Sequence, residues 1–260
     1  INTQSPMGWP NEVGRHILGE IGSTNDYAET VALRPAWVMA HSQSAGRGRR
    51  GRHWESPTGN FYASYIMETE GPVGQVALRS FVAALALYDS FCALNVAPER
   101  LALKWPNDVL LDGCKVSGIL LQSGTQRAGV SHLIVGFGVN LKVAPNPALL
   151  EKRALAPISV LAATGFAPDP ETFLTHLAQA FAQWENQFHT QGFAALRHAW
   201  LARAAHLGKI IIARTAQSEQ SGIFETIDDQ GALLLRTDQG LSKIAAADIY
   251  FDGVADAFGY

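Results

Sequence analysis

The sequence predicts an α/β (α+β) protein in which a mixed sheet with helices is followed by a small C-terminal β-barrel. Residues 16–207 alternate β-branched and aromatic runs with amphipathic helical runs, joined by short connections. After about Gly208 the helical pattern stops, and short strands follow with turn signals between them. The chain has 260 residues and is 47% hydrophobic, which is enough for a large domain and a small one. We therefore expect domains at 1–207 and 208–260.

The elements of the first part follow from local patterns. A strand at residues 16–21 is followed by Ser23 and Asp26, an S-x-x-D pattern that begins a helix reaching about residue 33. Further strands are predicted at residues 36–40, 61–67, 101–104, 116–122 and 133–136, and long helices at 74–95 and 171–191. Because the connections permit both hairpins and crossovers, we expect a mixed sheet with helices mainly on one face.

The last fifty residues read as short strands. They are predicted at residues 209–214, 222–227, 232–236 and 241–245, separated by turns such as Asp228-Asp229-Gln230-Gly231. A small β-barrel on the end of the first domain fits this pattern.

Composition excludes several classes. Cys92 and Cys114 are too few for a disulfide framework or a metal cluster, which fits a reducing compartment. No apolar run approaches the roughly 18 residues of a membrane helix, and residue 1 is not followed by a signal-peptide pattern. We expect a cytoplasmic protein without a membrane partner.

The most basic segment is residues 46–52, Gly-Arg-Gly-Arg-Arg-Gly-Arg, here called the arginine loop. The net charge of the chain is −3, yet residues 31–54 contain no Asp or Glu. Glycines allow close approach to a ligand, and guanidinium groups bind carboxylates and phosphates, so an anionic ligand is indicated. A dinucleotide fingerprint would require a helix after the third glycine, but residues 53–60 carry turn chemistry. Nucleic-acid-binding Gly-Arg tails are repetitive, and this segment is not.

A second motif is Lys104-Trp105-Pro106-Asn107-Asp108, followed seven residues later by Lys115. A turn at Pro106 and a returning strand would form a hairpin. The hairpin would bring Lys104, Asn107, Asp108 and Lys115 to one edge of the sheet. Each of these residues taken alone has an ordinary structural explanation.

Together the motifs resemble those of the biotin protein ligases, in order and in the eleven-residue step from Lys104 to Lys115. The resemblance covers about residues 19–140. It rests on Ser23-Thr24-Asn25, Gln43-x-Ala45 with the arginine loop, Lys104-Trp105-Pro106-Asn107-Asp108, Lys115-x-x-Gly118-Ile119-Leu120 and Gly136-x-Gly138-x-Asn140. It implies a monofunctional ligase whose catalytic domain is related to class II aminoacyl-tRNA synthetases, with a C-terminal SH3-like barrel. The strands read after Gly208 agree independently.

The implied reaction has two steps. Biotin and ATP form biotinyl-5′-AMP and pyrophosphate, and a lysine of a biotin carboxyl carrier protein, such as the acetyl-CoA carboxylase subunit, then takes the biotin. Fixed cations suit the charge that gathers on phosphate and carbonyl oxygens, and a glycine-rich loop can exclude water from the mixed anhydride. Mg²⁺ is expected with the ATP, and Asp108 is the expected carboxylate near the ion.

The resemblance also implies roles for individual residues. The expected biotin-binding residues are Ser23, Thr24, Asn25, Gln43, Gly46, Arg47, Gly48, Arg49, Lys115 and Gly118. The expected nucleotide-binding residues are Arg49, Arg50, Asn107, Asp108 and Asn140. Lys115, Arg49 and Arg47 are the expected catalytic residues, and Trp54 is expected to anchor the loop rather than to contact the ligand.

The chain departs from the family in two places. Some relatives cover the adenine with an aromatic residue after the Gly-x-Gly-x-Asn strand, but residues 141–165 contain none. Some carry a C-terminal arginine that reaches the nucleotide, but residues 242–260 contain none. We therefore expect aliphatic contacts to adenine and assign no nucleotide contact to the barrel.

Three alternatives share part of the pattern. A bifunctional repressor would need a helix-turn-helix, for which the residues before His16 are too few, so no DNA partner is expected. A lipoate or octanoyl ligase of the same superfamily would carry a different loop. A non-catalytic nucleotide- or RNA-binding module fits the acidic net charge poorly. Both a monomer and a homodimer remain compatible with the sequence.

Overall fold

The computed structural model of the protein describes residues 7–126, 129–149, 153–215 and 217–251. Within them the chain forms two sheets. The first contains seven strands in the order β1-β2-β3-β7-β6-β5-β4. These strands are β1 Gly14–Ile21, β2 Ala36–Gln43, β3 Phe61–Glu68, β4 Leu101–Lys104, β5 Asp108–Leu111, β6 Cys114–Gln126 and β7 Gly129–Val139. β1 pairs with β2 in parallel and the other neighbours are antiparallel, so the predicted mixed sheet is confirmed.

Helices cover mainly one face of this sheet, as predicted. The helices on both faces together are α1 Thr24–Glu29, α2 Val73–Ala77, α3 Arg79–Ala93, α4 Val160–Thr164, α5 Pro170–Gln191 and α6 Phe193–Leu201. α3, α5 and α6 pack together over an aromatic core in which the rings of Trp37, Tyr65 and Phe181 lie 4.8–5.7 Å apart. α1 packs on the opposite face, where Ala28 meets Val38 in a smaller apolar cluster. Trp37 and Val38 belong to different clusters because successive residues of a strand point to opposite faces of the sheet.

One helical stretch, Val73–Ala93, is long and apolar enough to cross a membrane by composition alone. Most of its length is buried inside the domain. Phe81, Leu85 and Phe91 lie in the main core, so the stretch is a core helix of this fold.

The second sheet forms the C-terminal domain. Its strands are β8 Ile210–Arg214, β9 Glu219–Ile227, β10 Leu233–Thr237, β11 Gly240–Ile244 and β12 Asp248–Phe251. All neighbours in the order β11-β10-β9-β8-β12 are antiparallel. A hydrogen bond joins this domain to the first one: Trp105 Nε1–H donates to the carbonyl of Gly231 at 3.0 Å. The boundary at residue 208 stays a prediction.

Several predicted elements need correction. The helix after Ser23 ends at Glu29 rather than near residue 33, and Ser23 makes no side-chain cap. Thr30 closes the last turn, because its N–H at 3.0 Å and its hydroxyl at 2.7 Å both donate to the carbonyl of Tyr27. The predicted helix at 74–95 is assigned as two, α2 and α3, that meet at Leu78. The sequence reading also missed β5, β12, α4 and α6, each of which is short.

Candidate active site

A cavity of about 580 Å³ opens between the first sheet and the C-terminal domain. Most of the residues predicted to bind ligand line it. These are Ser23, Thr24, Asn25, Gln43, Arg47, Gly48, Arg49, Asn107, Asp108, Lys115, Gly118 and Asn140. Two predicted residues, Gly46 and Arg50, are not in this lining.

One end of the cavity is built from neutral polar groups at the start of α1. The Thr24 backbone N–H donates to Gln43 Oε1 at 2.8 Å, and the Thr24 hydroxyl donates to the same oxygen at 3.1 Å. Gln43 Nε2 donates to the hydroxyl of Ser56 at 3.0 Å. Ser23 is buried at the N-cap position, lines the cavity and makes no capping bond. We call this set of groups the neutral end.

Ser64 lies beneath the neutral end and was not identified from the sequence. Its hydroxyl donates to Asn25 Oδ1 at 2.6 Å and lies 2.8 Å from the hydroxyl of Thr24. Gly136, on the neighbouring strand, has no space for a side chain, because a Cβ there would lie 2.4 Å from Asn25 Oδ1. The available signal was a polar residue inside the apolar run of β3.

The opposite end is charged and lies on the three consecutive antiparallel strands β4, β5 and β6. The predicted single hairpin is wrong, because β5 pairs between the other two strands. Lys104 faces Asp108 across β4 and β5, and its Nζ lies 3.5 Å from Asp108 Oδ2. Lys115 Nζ lies 2.7 Å from the other oxygen, Oδ1. The predicted juxtaposition of the two motifs is therefore confirmed. We call this set, with the arginine loop above it, the charged end.

Burial opposes charge on these groups. Burial raises the pKa of Asp108, but the charges of Lys115 and Lys104 outweigh it and hold that pKa below its usual value. Burial also lowers the pKa of Lys104, against the attraction of Asp108. Asp108 is thus held as an anion, and its two oxygens face the amino groups of Lys115 and Lys104.

Asp108 does not fit the expected role of a magnesium ligand. Its Oδ1 already faces the ammonium group of Lys115, which would repel a divalent cation, and its Oδ2 faces the amino group of Lys104. Among the residues that the structure describes, no group of three His, Cys, Asp or Glu side chains could hold an ion. The expectation placed on Asp108 is therefore not supported by its surroundings.

The arginine loop crosses the charged end. Arg47 Nη1 donates to Asp26 Oδ2 at 2.9 Å, which holds Arg47 at the exposed rim. Arg49 Nη1 donates to Asn107 Oδ1 at 3.2 Å, and Asn107 Nδ2 donates to the carbonyl of Ile119 at 2.6 Å. Burial lowers the pKa of Arg49 from its usual value, although the group stays charged.

Trp54 packs the end of this loop against the sheet, but it also lines the cavity, so the expectation that it does not contact the ligand stays a prediction. Its indole lies flat against two glycines of the sheet. A Cβ on Gly138 would lie 2.5 Å from Trp54 Cε2, and one on Gly118 would lie 3.1 Å from Cζ3. Gly46 also permits this packing, since a Cβ there would lie 2.5 Å from the Trp54 carbonyl oxygen. Gly46 therefore supports the loop from behind instead of facing the cavity.

The C-terminal domain contributes more than the sequence suggested. Its residues Ala247, Asp248, Ile249 and Tyr250 line the cavity, so the barrel belongs to the wall of the site. Arg50 is not part of the lining itself, but its Nη1 donates to Asp248 Oδ2 at 3.0 Å. The expectation that the barrel makes no nucleotide contact stays a prediction, because lining the cavity does not show which ligand these residues would touch.

The remaining wall follows β7. Asn140 is buried and donates from Nδ2 to the carbonyl of Ile158 at 3.2 Å. The segment after it lines the cavity through Pro145, Arg153, Ala154, Leu155 and Pro157, none of them aromatic. Arg153, which the sequence reading missed, pairs with Glu219 of the C-terminal domain at 2.9 Å.

Comparisons with known proteins agree with this arrangement. The biotin/lipoate A/B protein ligase family matches residues 21–140, and the biotin protein ligase C-terminal domain matches residues 206–252. The chain is 52% identical to a biotin–[acetyl-CoA-carboxylase] ligase of Paracoccus denitrificans, over 91% of this chain and all of that protein. It is 32% identical to a bifunctional ligase/repressor of Bacillus subtilis, over 94% of this chain and 76% of that protein.

Solved structures show the same fold. The biotin protein ligase of Aquifex aeolicus, in complex with biotin and ATP, superposes with a TM-score of 0.75. The match covers 91% of this chain and 97% of that one at 23% identity. A Leishmania major ligase in complex with biotinyl-5-AMP superposes with a TM-score of 0.62 at 21% identity, over 90% and 99% of the two chains.

Proposed function

This chain belongs to the biotin protein ligases, and on that premise we propose how its cavity divides the work of attaching biotin. The activity is ATP-dependent biotinylation of the carrier protein of acetyl-CoA carboxylase. The division follows from the chemistry of the two ends of the cavity. Biotin carries a neutral ureido ring and an ionised carboxylate, whereas ATP carries the phosphates.

We assign the ureido ring of biotin to the neutral end. A ureido group needs both donors and acceptors, and hydroxyl and amide groups supply them without a charge to desolvate. Ser23, Thr24, Asn25 and Gln43 carry such groups, and Gln43 is oriented by bonds on both sides of its amide. Gly48 lines the same cavity without a side chain, which leaves room for the ligand, whereas Gly118 leaves room for the indole of Trp54.

Activation belongs to the charged end. The biotin carboxylate attacks the α-phosphorus of ATP, a P–O bond to pyrophosphate breaks, and negative charge gathers on the oxygens of the transition state. Lys115, fixed by Asp108, supplies a preorganised cation for this charge. Arg49 adds a second cation, and Arg47 adds positive potential from the rim. In the second step the amine of the carrier lysine attacks the carbonyl carbon and AMP leaves.

Asn107, Asn140 and Arg49 are assigned to the nucleotide. The adenine would lie against the aliphatic wall that includes Leu155 and Pro157. A magnesium ion would reach the site on the phosphates of ATP, as this ion commonly does, and would neutralise part of their charge there. The surroundings of Asp108 do not fit a protein ligand for it, and Arg50 is left out because it does not line the cavity.

The observation that carries this account is the ion pair of Lys115 and Asp108 on one wall of the cavity that also holds the Gln43 network. The test is mass spectrometry of an apo carboxyl carrier domain after incubation with the protein, Mg-ATP and biotin. We expect a biotinylated carrier, and no product when lipoate or octanoate replaces biotin. A lipoylated carrier would instead favour the lipoate branch of the superfamily. The cytoplasm, where such carriers are synthesised, is the proposed compartment.

A further inference from the structure

A carboxylate of the C-terminal domain holds the far side of the arginine loop. Asp248 Oδ2 accepts a hydrogen bond from Arg50 Nη1 at 3.0 Å and one from Arg52 Nη2 at 2.7 Å. Arg214 of β8 lies 3.8 Å from the same oxygen. Only 12% of the Asp248 side chain is exposed, and it lines the cavity.

The surroundings keep Asp248 ionised. Burial alone would raise its pKa, but the hydrogen bond from Arg52 and the charges of Arg52, Arg50 and Arg49 together hold the pKa below its usual value. A single exposed ion pair contributes little, because both side chains lose freedom and water screens the charges. Here two guanidinium groups meet one largely buried carboxylate, and the geometry is therefore that of a network.

The loop is held at three places. Arg47 is bound to Asp26 of α1 at the rim, and Arg49 is bound to Asn107 inside the cavity. The third attachment, at Asp248, belongs to the other domain and is separated from the loop by 196 residues of sequence. The loop thus spans the opening from the catalytic sheet to the C-terminal domain.

We propose that Asp248 is a positioning residue that holds the arginine loop closed over biotinyl-adenylate. This proposal rests on the function assigned above, in which the loop covers the intermediate. Asp248 acts through Arg50 and Arg52. With the attachment intact, the loop excludes water and foreign amines from the mixed anhydride. Without it the loop opens more often, and the intermediate escapes before the carrier lysine arrives.

The test compares Asp248→Asn with Asp228→Asn in the full chain. Both residues belong to the C-terminal domain, but Asp228 pairs with Lys243, away from the loop. Two properties are measured. The first is the release of biotinyl-adenylate, detected as biotin attached to the lysines of an unrelated protein. The second is the rate of tryptic cleavage at the loop arginines in the absence of ligand. The cleavage assay does not depend on catalysis. Asparagine keeps the size of the side chain and removes only its charge.

We expect Asp248→Asn to release the intermediate and to be cleaved in the loop about fivefold faster than wild type, the effect of losing a partly exposed ion-pair network. Asp248→Glu should restore most of the difference, and Asp228→Asn should behave as wild type. If thermal melting shows that Asp248→Asn is unfolded, the double variant Arg50→Gln with Arg52→Gln breaks the same contacts from the loop side and should release the intermediate about fivefold faster than wild type. Only release is compared for this variant, because the two substitutions remove trypsin sites from the loop.

The opposite results are equally specific. Suppose that Asp248→Asn shows wild-type release and cleavage while Arg49→Ala releases the intermediate faster. The role of Asp248 would then be disproved, and the covering role of the loop would stand. Unchanged release in both variants would overturn the covering role itself, and the proposal with it. A lower KM for ATP in Asp248→Asn with unchanged release would mean that Asp248 only screens the arginines, which also contradicts the proposal.

Discussion

The two ends of the cavity are organised differently. At the neutral end, Thr24, Gln43 and Ser64 belong to regular elements, and the donors and acceptors described above are matched within one domain. At the charged end, cations gather around Asp108 and Asp248, and the contacts join a hairpin, a loop and a second domain. The neutral end is a preorganised binding site for an uncharged ring. The charged end holds cations close together, so a polyanionic ligand relieves their mutual repulsion.

The largest effect is expected from removing a cation at the charged end. Lys115→Ala should reduce the rate of adenylate formation about 10²-fold or more, the loss typical of a preorganised electrostatic donor. Pyrophosphate release with biotin and ATP measures this rate. Lys209→Ala, which removes an exposed lysine beside the domain boundary, is the control and should leave the rate unchanged. A rate within about threefold of wild type would remove Lys115 from the mechanism.

Removing a hydrogen-bonding side chain at the neutral end should weaken biotin binding instead of slowing adenylate formation. Gln43→Ala removes the acceptor of the Thr24 N–H and leaves that donor without its partner. We expect biotin to bind about tenfold more weakly, equivalent to roughly 1.4 kcal/mol, with the affinity for ATP nearly unchanged. Calorimetric titration with each ligand separately checks both statements. Equal weakening of both affinities would break the division between the two ends.

The link between the ends depends on Trp54. Gly138→Ala places a Cβ where the indole now lies, so Trp54 and the arginine loop must shift. We expect adenylate formation to fall several-fold, less than for loss of Lys115, because every cation is still present. The matched control is Gly19→Ala, a strand glycine whose Cβ would meet no atom within 4 Å. Similar activities for the two variants would mean that Trp54 does not position the loop.

The smallest effect is expected beneath the neutral end. Ser64→Ala leaves the pocket groups in place but removes the hydroxyl that donates to Asn25. Because a net hydrogen bond contributes about 1 kcal/mol, we expect biotin affinity to fall by about three- to fivefold. Ser42→Ala is a control, since the Ser42 hydroxyl bonds only at an exposed position to Glu20. A fall as large as that of Gln43→Ala would make Ser64 a direct contact.

The sequence predicted the parts of the molecule whose patterns are local. Strand and helix periodicity located the mixed sheet, and the turn at Pro106 indicated that Lys104 and Lys115 lie close together, although β5 between their strands was missed. The arginine loop was recognisable because its charge differs from that of the rest of the chain. These features depend on neighbours in sequence.

The parts that the sequence did not reveal depend on distant contacts. Asp248 reads as one acidic residue among many until β12 brings it to the loop. Ser64 could be seen as polar, but its partners lie about forty residues away in α1. Pairing across long separations is not encoded in any local pattern.

The central claim is that recognition of biotin and activation of biotin occupy separate ends of one cavity. It is tested most directly by measuring biotin affinity and single-turnover adenylate formation in the same preparations of Gln43→Ala and Lys115→Ala. We predict that Lys115→Ala binds biotin within about fivefold of wild type yet forms adenylate at least about 10²-fold more slowly. Gln43→Ala should bind biotin about tenfold more weakly and recover a near-normal rate at saturating biotin. If both variants lost affinity and saturated rate in the same proportion, the two ends would act as one site and the claim would be contradicted.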